Sequence, residues 1–160
     1  MVDNAAEIDG LASLHVAVAA RIDLERVPVL LGGPDLPWLG ERVAEAEGHL
    51  RRYHSDLEVH LTGMGPFTLR KAALIGLGVP QPDEAGWTLP LEWQAATMAP
   101  LFPVFVGSLS LRADRALVDG HYAPPGGRLG QVADALLLGI AARGTARWFL
   151  TQIVKHLDNG

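Results

Sequence analysis

Six histidines and no cysteine set the outer bounds on chemistry in this 160-residue chain. Without a thiol there is no cysteine nucleophile, disulfide framework or thiolate metal site. His49, His54 and His60 lie five and six residues apart, which suits neither one helix face nor a zinc pattern, so no metal is expected. His15 and His60 fall on the polar side of alternating stretches and read as solvated. His121 with Asp119 is an i, i+2 pair on one face of a strand. A carboxylate there fixes an imidazole tautomer and makes an oriented base. Because Val118 and Tyr122 claim the other face, the pair also reads as a surface contact. His156 falls in a last helical turn, where positive charge suits the dipole.

The serines add little. "GSLS" (107–110) lacks the flanking glycines of a nucleophile elbow, and both hydroxyls alternate with Leu109 and Leu111 as the exposed side of a strand. The glycines of "LLGGP", "TGMG" and "PPGG" punctuate turns and do not have dinucleotide-binding spacing. Arg70 and Glu92 read as surface charges on strands. Trp93 and Tyr122 are more informative. Trp93 shares a strand face with Leu89, Leu91 and Ala95, and Tyr122 stands where the last strand ends. Buried Trp and Tyr keep their polar handle satisfied, so either is a core residue or the donor that meets a ligand's lone oxygen.

The elements that must position these groups follow from periodicity. "SLHVAVAARID" (13–23) alternates as a half-buried strand and stops at Asp23, an N-cap for a short helix over 24–31 that tolerates Pro28 near its start. Residues 41–54 are read either as a helical turn or two or as the approach to a strand. "DLEVHLT" (56–62) and "TLRKAALIGLGV" (68–79) flank a turn and predict a hairpin. Strands follow at 87–96, 103–113 and 116–123. The composition is 49% hydrophobic and 19% charged with net charge −5, which excludes a disordered chain and argues against nucleic acid. "MVDNAAEIDG" has no secretory pattern, and Val132–Ala142 is too short to span a bilayer. One soluble, cytoplasmic domain over 1–160 is expected, without cofactor.

After Pro124-Pro125-Gly126-Gly127 no proline interrupts the chain, which predicts one helix over about 128–156. Arg143, Arg147, Thr151 and Lys155 share a wet face. Leu138, Ala142, Ala146, Phe149 and Ile153 share the opposite one, flanked by Leu137, Ala141 and Thr145. Small side chains in the middle of that stripe, set against a concave sheet, leave volume. Bulky sheet residues such as Trp93 and Phe105 fill it, or a guest does. Leu129, Val132, Leu136 and Ile140 extend the wet face as an apolar patch. Either the helix bends at Gly139 or Gly144 and buries it, or it meets a partner, most simply a second copy of the chain.

The C-terminal half resembles an actinobacterial group in the START-like, polyketide-cyclase-like (SRPBCC) superfamily. Leu89-Pro90-Leu91 with Trp93 and Ala95, Leu101-Phe102-Pro103-Val104, and Gly120, Tyr122, Pro124 and Pro125 carry the resemblance. Leu129, Asp134, Thr145, Phe149 and Leu150 continue it along the helix, and "LERVPVLLGGP" (24–34) is similar to the group's first helix. The resemblance implies an α+β helix-grip fold: a curved antiparallel sheet of six to seven strands around one long C-terminal helix. It also implies an apolar cavity for a lipid-, steroid- or polyketide-like molecule. The expected lining is Leu91, Trp93, Phe105, Leu109, Tyr122, Leu138, Ala142, Thr145 and Phe149. Where such relatives carry a polar pair, this chain has Gly139-Ile140. Two other functions stay open: a cyclase- or dehydratase-type enzyme with Tyr122 or a histidine as proton donor, and an interaction module with a filled core.

Overall fold

The alternation of Leu14 and Val16 with His15 and Ala17 forms β1, Ala12–Ala19, whose buried set is the apolar one. The strand gives way to a 3-10 turn at Leu24–Arg26, capped by the Asp23 carboxylate accepting from the Glu25 N–H, and then to α1, Val27–Leu31, with Pro28 in its first turn. The remaining strands are β2 (Glu41–Arg42), β3 (Arg51–His60), β4 (Thr68–Leu77), β5 (Gln81–Pro82), β6 (Gly86–Ala95), β7 (Val104–Arg112) and β8 (Arg115–Ala123). The chain closes with α2, Val132–Asp158. The computed structural model describes residues 12–43, 50–60, 68–96, 103–123 and 132–158.

The eight strands form one antiparallel sheet in the order β1-β8-β7-β6-β4-β3-β2, with β5 added on β6. Six are long, matching the expected strands, and two are two-residue additions that no periodicity could show. The class is α+β, as expected. Pro90, which has no N–H to give a ladder, stands where β4 ends, and its carbonyl accepts from the Gly78 N–H.

Of the boundaries that differ from the sequence reading, two bear on the interior. β3 starts at Arg51 rather than near residue 56, which resolves 51–54 as strand; 44–49 lie outside the described residues. The early part of β3 is disguised because its inward positions include a charged residue. The Arg51 guanidinium donates to the carbonyls of Gly33, Leu77 and Gly78. Those bonds let a cation replace an apolar residue in the pattern. α2 ends at Asp158, two residues late, and runs unbroken through Gly139 and Gly144.

The helix packs on β1 and β8 and also on β3. On a flat sheet, β1 and β3 would stand roughly 24 Å apart, five steps of about 4.8 Å. One helix about 10 Å wide cannot touch both unless the sheet curves around it. Its contacts are with the flanks, and the middle strands β4, β6 and β7 back the space beneath it with side chains.

Candidate functional site

The register aligns one row of side chains across the concave face: Ala12, Tyr122, Phe105, Trp93, Ile75 and Tyr53, one per strand from β1 to β3. Trp93 and Phe105 stack with ring centroids 4.1 Å apart and planes 17° from parallel. In the next row, Gly107 and Gly120 face each other, and a Cβ on either would lie within 3 Å of the Phe105 Cζ. These two glycines give the phenyl ring its bed.

All nine residues expected to line a cavity are buried. Leu91, Trp93, Phe105, Leu109 and Tyr122 lie on the concave face; Leu138, Ala142, Thr145 and Phe149 lie on the helix face toward it. Eight of them, all but Thr145, belong to one buried apolar cluster, in which Trp93 and Phe105 stack. The wet face is also as expected: Arg143, Arg147, Thr151 and Lys155 are exposed. Of the apolar patch, Ile140 is half-exposed, Leu129 lies outside the described residues, and the side chains of Val132 and Leu136 do too.

Buried polar groups show how this interior differs from its borders. The Tyr53 hydroxyl donates to the Pro34 carbonyl at 2.7 Å, and burial raises its pKa, keeping it a neutral donor. Ser55 donates to the Leu39 carbonyl. Thr145 donates back to the Ala141 carbonyl at 2.8 Å, one turn earlier in its own helix. Trp87 Nε1 donates to the Leu24 carbonyl at 2.9 Å. Trp93 Nε1 is fully buried and, among the described residues, has no hydrogen-bond partner. An indole N–H is a donor only, and leaving it unpaired in an interior costs about 1–3 kcal/mol. Its row neighbours Ile75 and Phe105 are apolar and offer no second partner to a bridging water, which needs at least two.

The residues read as candidates for acid–base work are scattered. Asp119 pairs across strands with His15, at 3.5 Å, on the exposed side of the sheet. That corrects the i, i+2 pairing of Asp119 with His121, because cross-strand neighbours stand closer than residues two apart along one strand. His156 stacks on Trp38, at 4.8 Å, and its Nδ1 lies 2.8 Å from the Gln152 carbonyl. Ser110 is a second correction. It lies on the convex side, as its alternation required, yet is 8% exposed. Arg70 and Glu92 do form ion pairs, with Glu58 and Arg52, at 3.7 and 3.0 Å.

A cavity of about 770 Å³ lies along the exposed face of α2 from Ile140 to Gln152, with Arg143, Gly144, Arg147 and Trp148 on the helix side and Glu58 on the strand side. None of the nine expected residues is among its described walls. Sequence reasoning missed this groove, because the arginines that line it were assigned to solvent. It also missed how closely Tyr122 approaches α2 at Gly139. A Cβ placed on Gly139 would lie 3.1 Å from Tyr122 Oη and 3.3 Å from Arg143 Nη1.

No family model matches the chain, and no curated protein matches it. Among the described residues, no helix is long and apolar enough to cross a membrane.

Proposed function

We propose that this protein binds a small, largely apolar molecule between the concave face of the sheet and α2, in a helix-grip arrangement of the START-like kind. The observation that carries the reading is the buried, unpaired N–H of Trp93. The hydroxyls of Tyr53, Ser55 and Thr145 are bonded from within the chain, whereas this fully enclosed N–H, on the middle strand of the curve, is not bonded to any described residue. An apolar guest with one acceptor oxygen supplies the missing partner, and burying its surface contributes roughly 25 cal/mol per Å². Phe105 and Trp93 give way or shift to admit it. Leu91, Leu109, Leu138, Ala142, Thr145 and Phe149 form the remaining wall, and Tyr122 stands at the row's β8 end.

Binding rather than catalysis is favoured because His15, His54 and His121 lie on the outer face and His156 against Trp38, which leaves Tyr122 in this row without a basic partner among the described histidines. Native mass spectrometry of the purified protein, together with thermal shifts across a panel of apolar ketones and esters, tests the proposal. Wild type is expected to carry or take up such a molecule, and Trp93→Phe to weaken it by about tenfold, the worth of one buried hydrogen bond. A protein that travels alone and shows no shift with any of the panel would sink the reading.

A further inference from the structure

The groove on the outer side of α2 has two walls, and each has groups without partners. On the helix, Ile140, Gly144 and Trp148 recur every four residues as a half-buried row, and Arg143 and Arg147 form an exposed row beside it. Neither arginine has a carboxylate partner among the described residues, unlike Arg52, Arg70 and Arg112. They are like charges at i, i+4, a spacing at which they repel each other until an anion joins them. Glu58, across the groove, is not that anion, since it pairs with Arg70 at 3.7 Å.

The opposite wall is β3, at Glu58. The Val43 N–H donates to the Arg52 carbonyl. The even-numbered residues of β3 therefore turn their N–H and C=O groups toward β2, and the odd-numbered ones toward β4. β2 meets only the first of the even set, with Glu41 opposite His54. Among the described residues, no strand and no backbone hydrogen bond takes up that side at Asp56 or Glu58. The sheet thus opens an edge into the groove where α2 presents its arginines.

An open edge of this kind accepts an extended segment as a further strand, and main-chain hydrogen bonds supply the affinity. From Ile140 to Gln152 the groove runs about 18 Å along the helix, at 1.5 Å per residue. Five or six residues of extended chain span that length at about 3.3 Å each. We propose that an extended, acidic segment of a partner protein adds to β3 in this groove. Its side chains alternate between two sides. Those toward α2 carry acids for Arg143 and Arg147 and an apolar group for Ile140 and Trp148. Those on the other side lie beside Asp56 and Glu58, both exposed, and are neutral or basic. A second copy of the chain fits worse, because its own edge would set Asp56 and Glu58 against the same two acids. The site is separate from the interior around Trp93, and its test does not depend on a guest there.

The test is fluorescence anisotropy with two labelled, end-capped peptides, TETETVT and its reverse TVTETET, which offer the same pattern to the edge in either direction. Wild type is expected to bind one of them, and its neutral Gln-for-Glu counterpart about tenfold more weakly, the worth of a charge-assisted hydrogen bond. Methylating alternate backbone nitrogens of the peptide should abolish binding for one alternating set and spare the other, since only one set faces β3. Arg147→Gln should bring the acidic peptide down to the neutral one. Glu58→Pro removes an N–H that the β4 ladder does not use, so it should keep the fold, checked by thermal melting, and abolish binding. The proposal is overturned if neither acidic peptide binds, if the neutral one binds equally, or if the acid preference survives Arg147→Gln. The same affinity from both methylated sets, or full binding by a folded Glu58→Pro, also overturns it. So does a concentration-dependent dimer that Glu58→Pro dissolves, which would give the edge to a second copy.

Discussion

β6 carries two tryptophans on the same face, six residues apart, and they meet opposite fates. Trp87 lies at the end of the sheet closed by the 24–39 segment. Its N–H is bonded to Leu24, Arg26 reaches the Leu157 carbonyl, and Trp38 stacks on His156. Trp93 lies in the row that leads to Tyr122, Gly139 and the N-terminal half of the described helix, and its N–H has no partner among the described residues. One strand therefore carries a bonded indole donor and a buried one that no described residue bonds. An interior that bonds Tyr53, in the same row, and Trp87, on the same strand, yet leaves the Trp93 donor without a described partner, holds one group that its own stability does not account for.

Several changes would break or sharpen that contrast, and the largest concerns volume. Trp93→Ala removes a fully buried indole stacked on Phe105 and should cost about 3–5 kcal/mol in chemical denaturation. A loss under 1 kcal/mol would mean the row is not packed as described. At the closed end, Arg51→Gln removes a cation that bonds the Gly33, Leu77 and Gly78 carbonyls and should cost about 1.5–3 kcal/mol.

A matched pair comes next. Trp87→Phe and Trp93→Phe each lose similar ring volume, so the difference between them isolates the N–H. Without ligand, Trp87→Phe should be the less stable of the two by about 1–3 kcal/mol, since only it strands a bonded carbonyl. Equal losses would put an unseen partner on Trp93.

The smallest effect lies at the turn before β6, where Asp83 accepts from the Thr88 hydroxyl, the backbone N–H groups of Ala85 and Gly86, and Arg112. The Thr88 bond first, and then the Ala85 N–H, hold its pKa down at about 2, against 3.8 ordinarily. A carboxylate with a depressed folded-state pKa contributes stability that is complete above the unfolded value and lost as pH falls through the folded one. Asp83→Asn should therefore lower the melting temperature slightly at pH 7 and progressively less as pH falls from about 4 toward 2. A constant difference across that range would contradict the assignment.

The sequence disclosed the parts of the molecule that obey a period. Leu14 and Val16 announced β1, and Arg143, Arg147, Thr151 and Lys155 gave the outer face of α2. It hid what depends on contacts between distant residues. β3 was read short because Arg51, an inward charge, is made acceptable only by carbonyls from two other segments. His15 was left solvated and alone, although the β1–β8 register sets it against Asp119. Trp93 could be placed on the concave face by alternation, but that its N–H goes unpaired while that of Trp87 does not is a property of the assembled core.

The most direct test of that unpaired donor is the indole N–H spectrum of the ¹⁵N-labelled protein, titrated with whichever ketone or ester of the panel binds. The Trp93 proton should move downfield as its hydrogen bond forms, while the Trp87 proton, already bonded to Leu24, stays where it is. A saturating ligand that leaves Trp93 unmoved, or that moves Trp87 instead, would contradict the account.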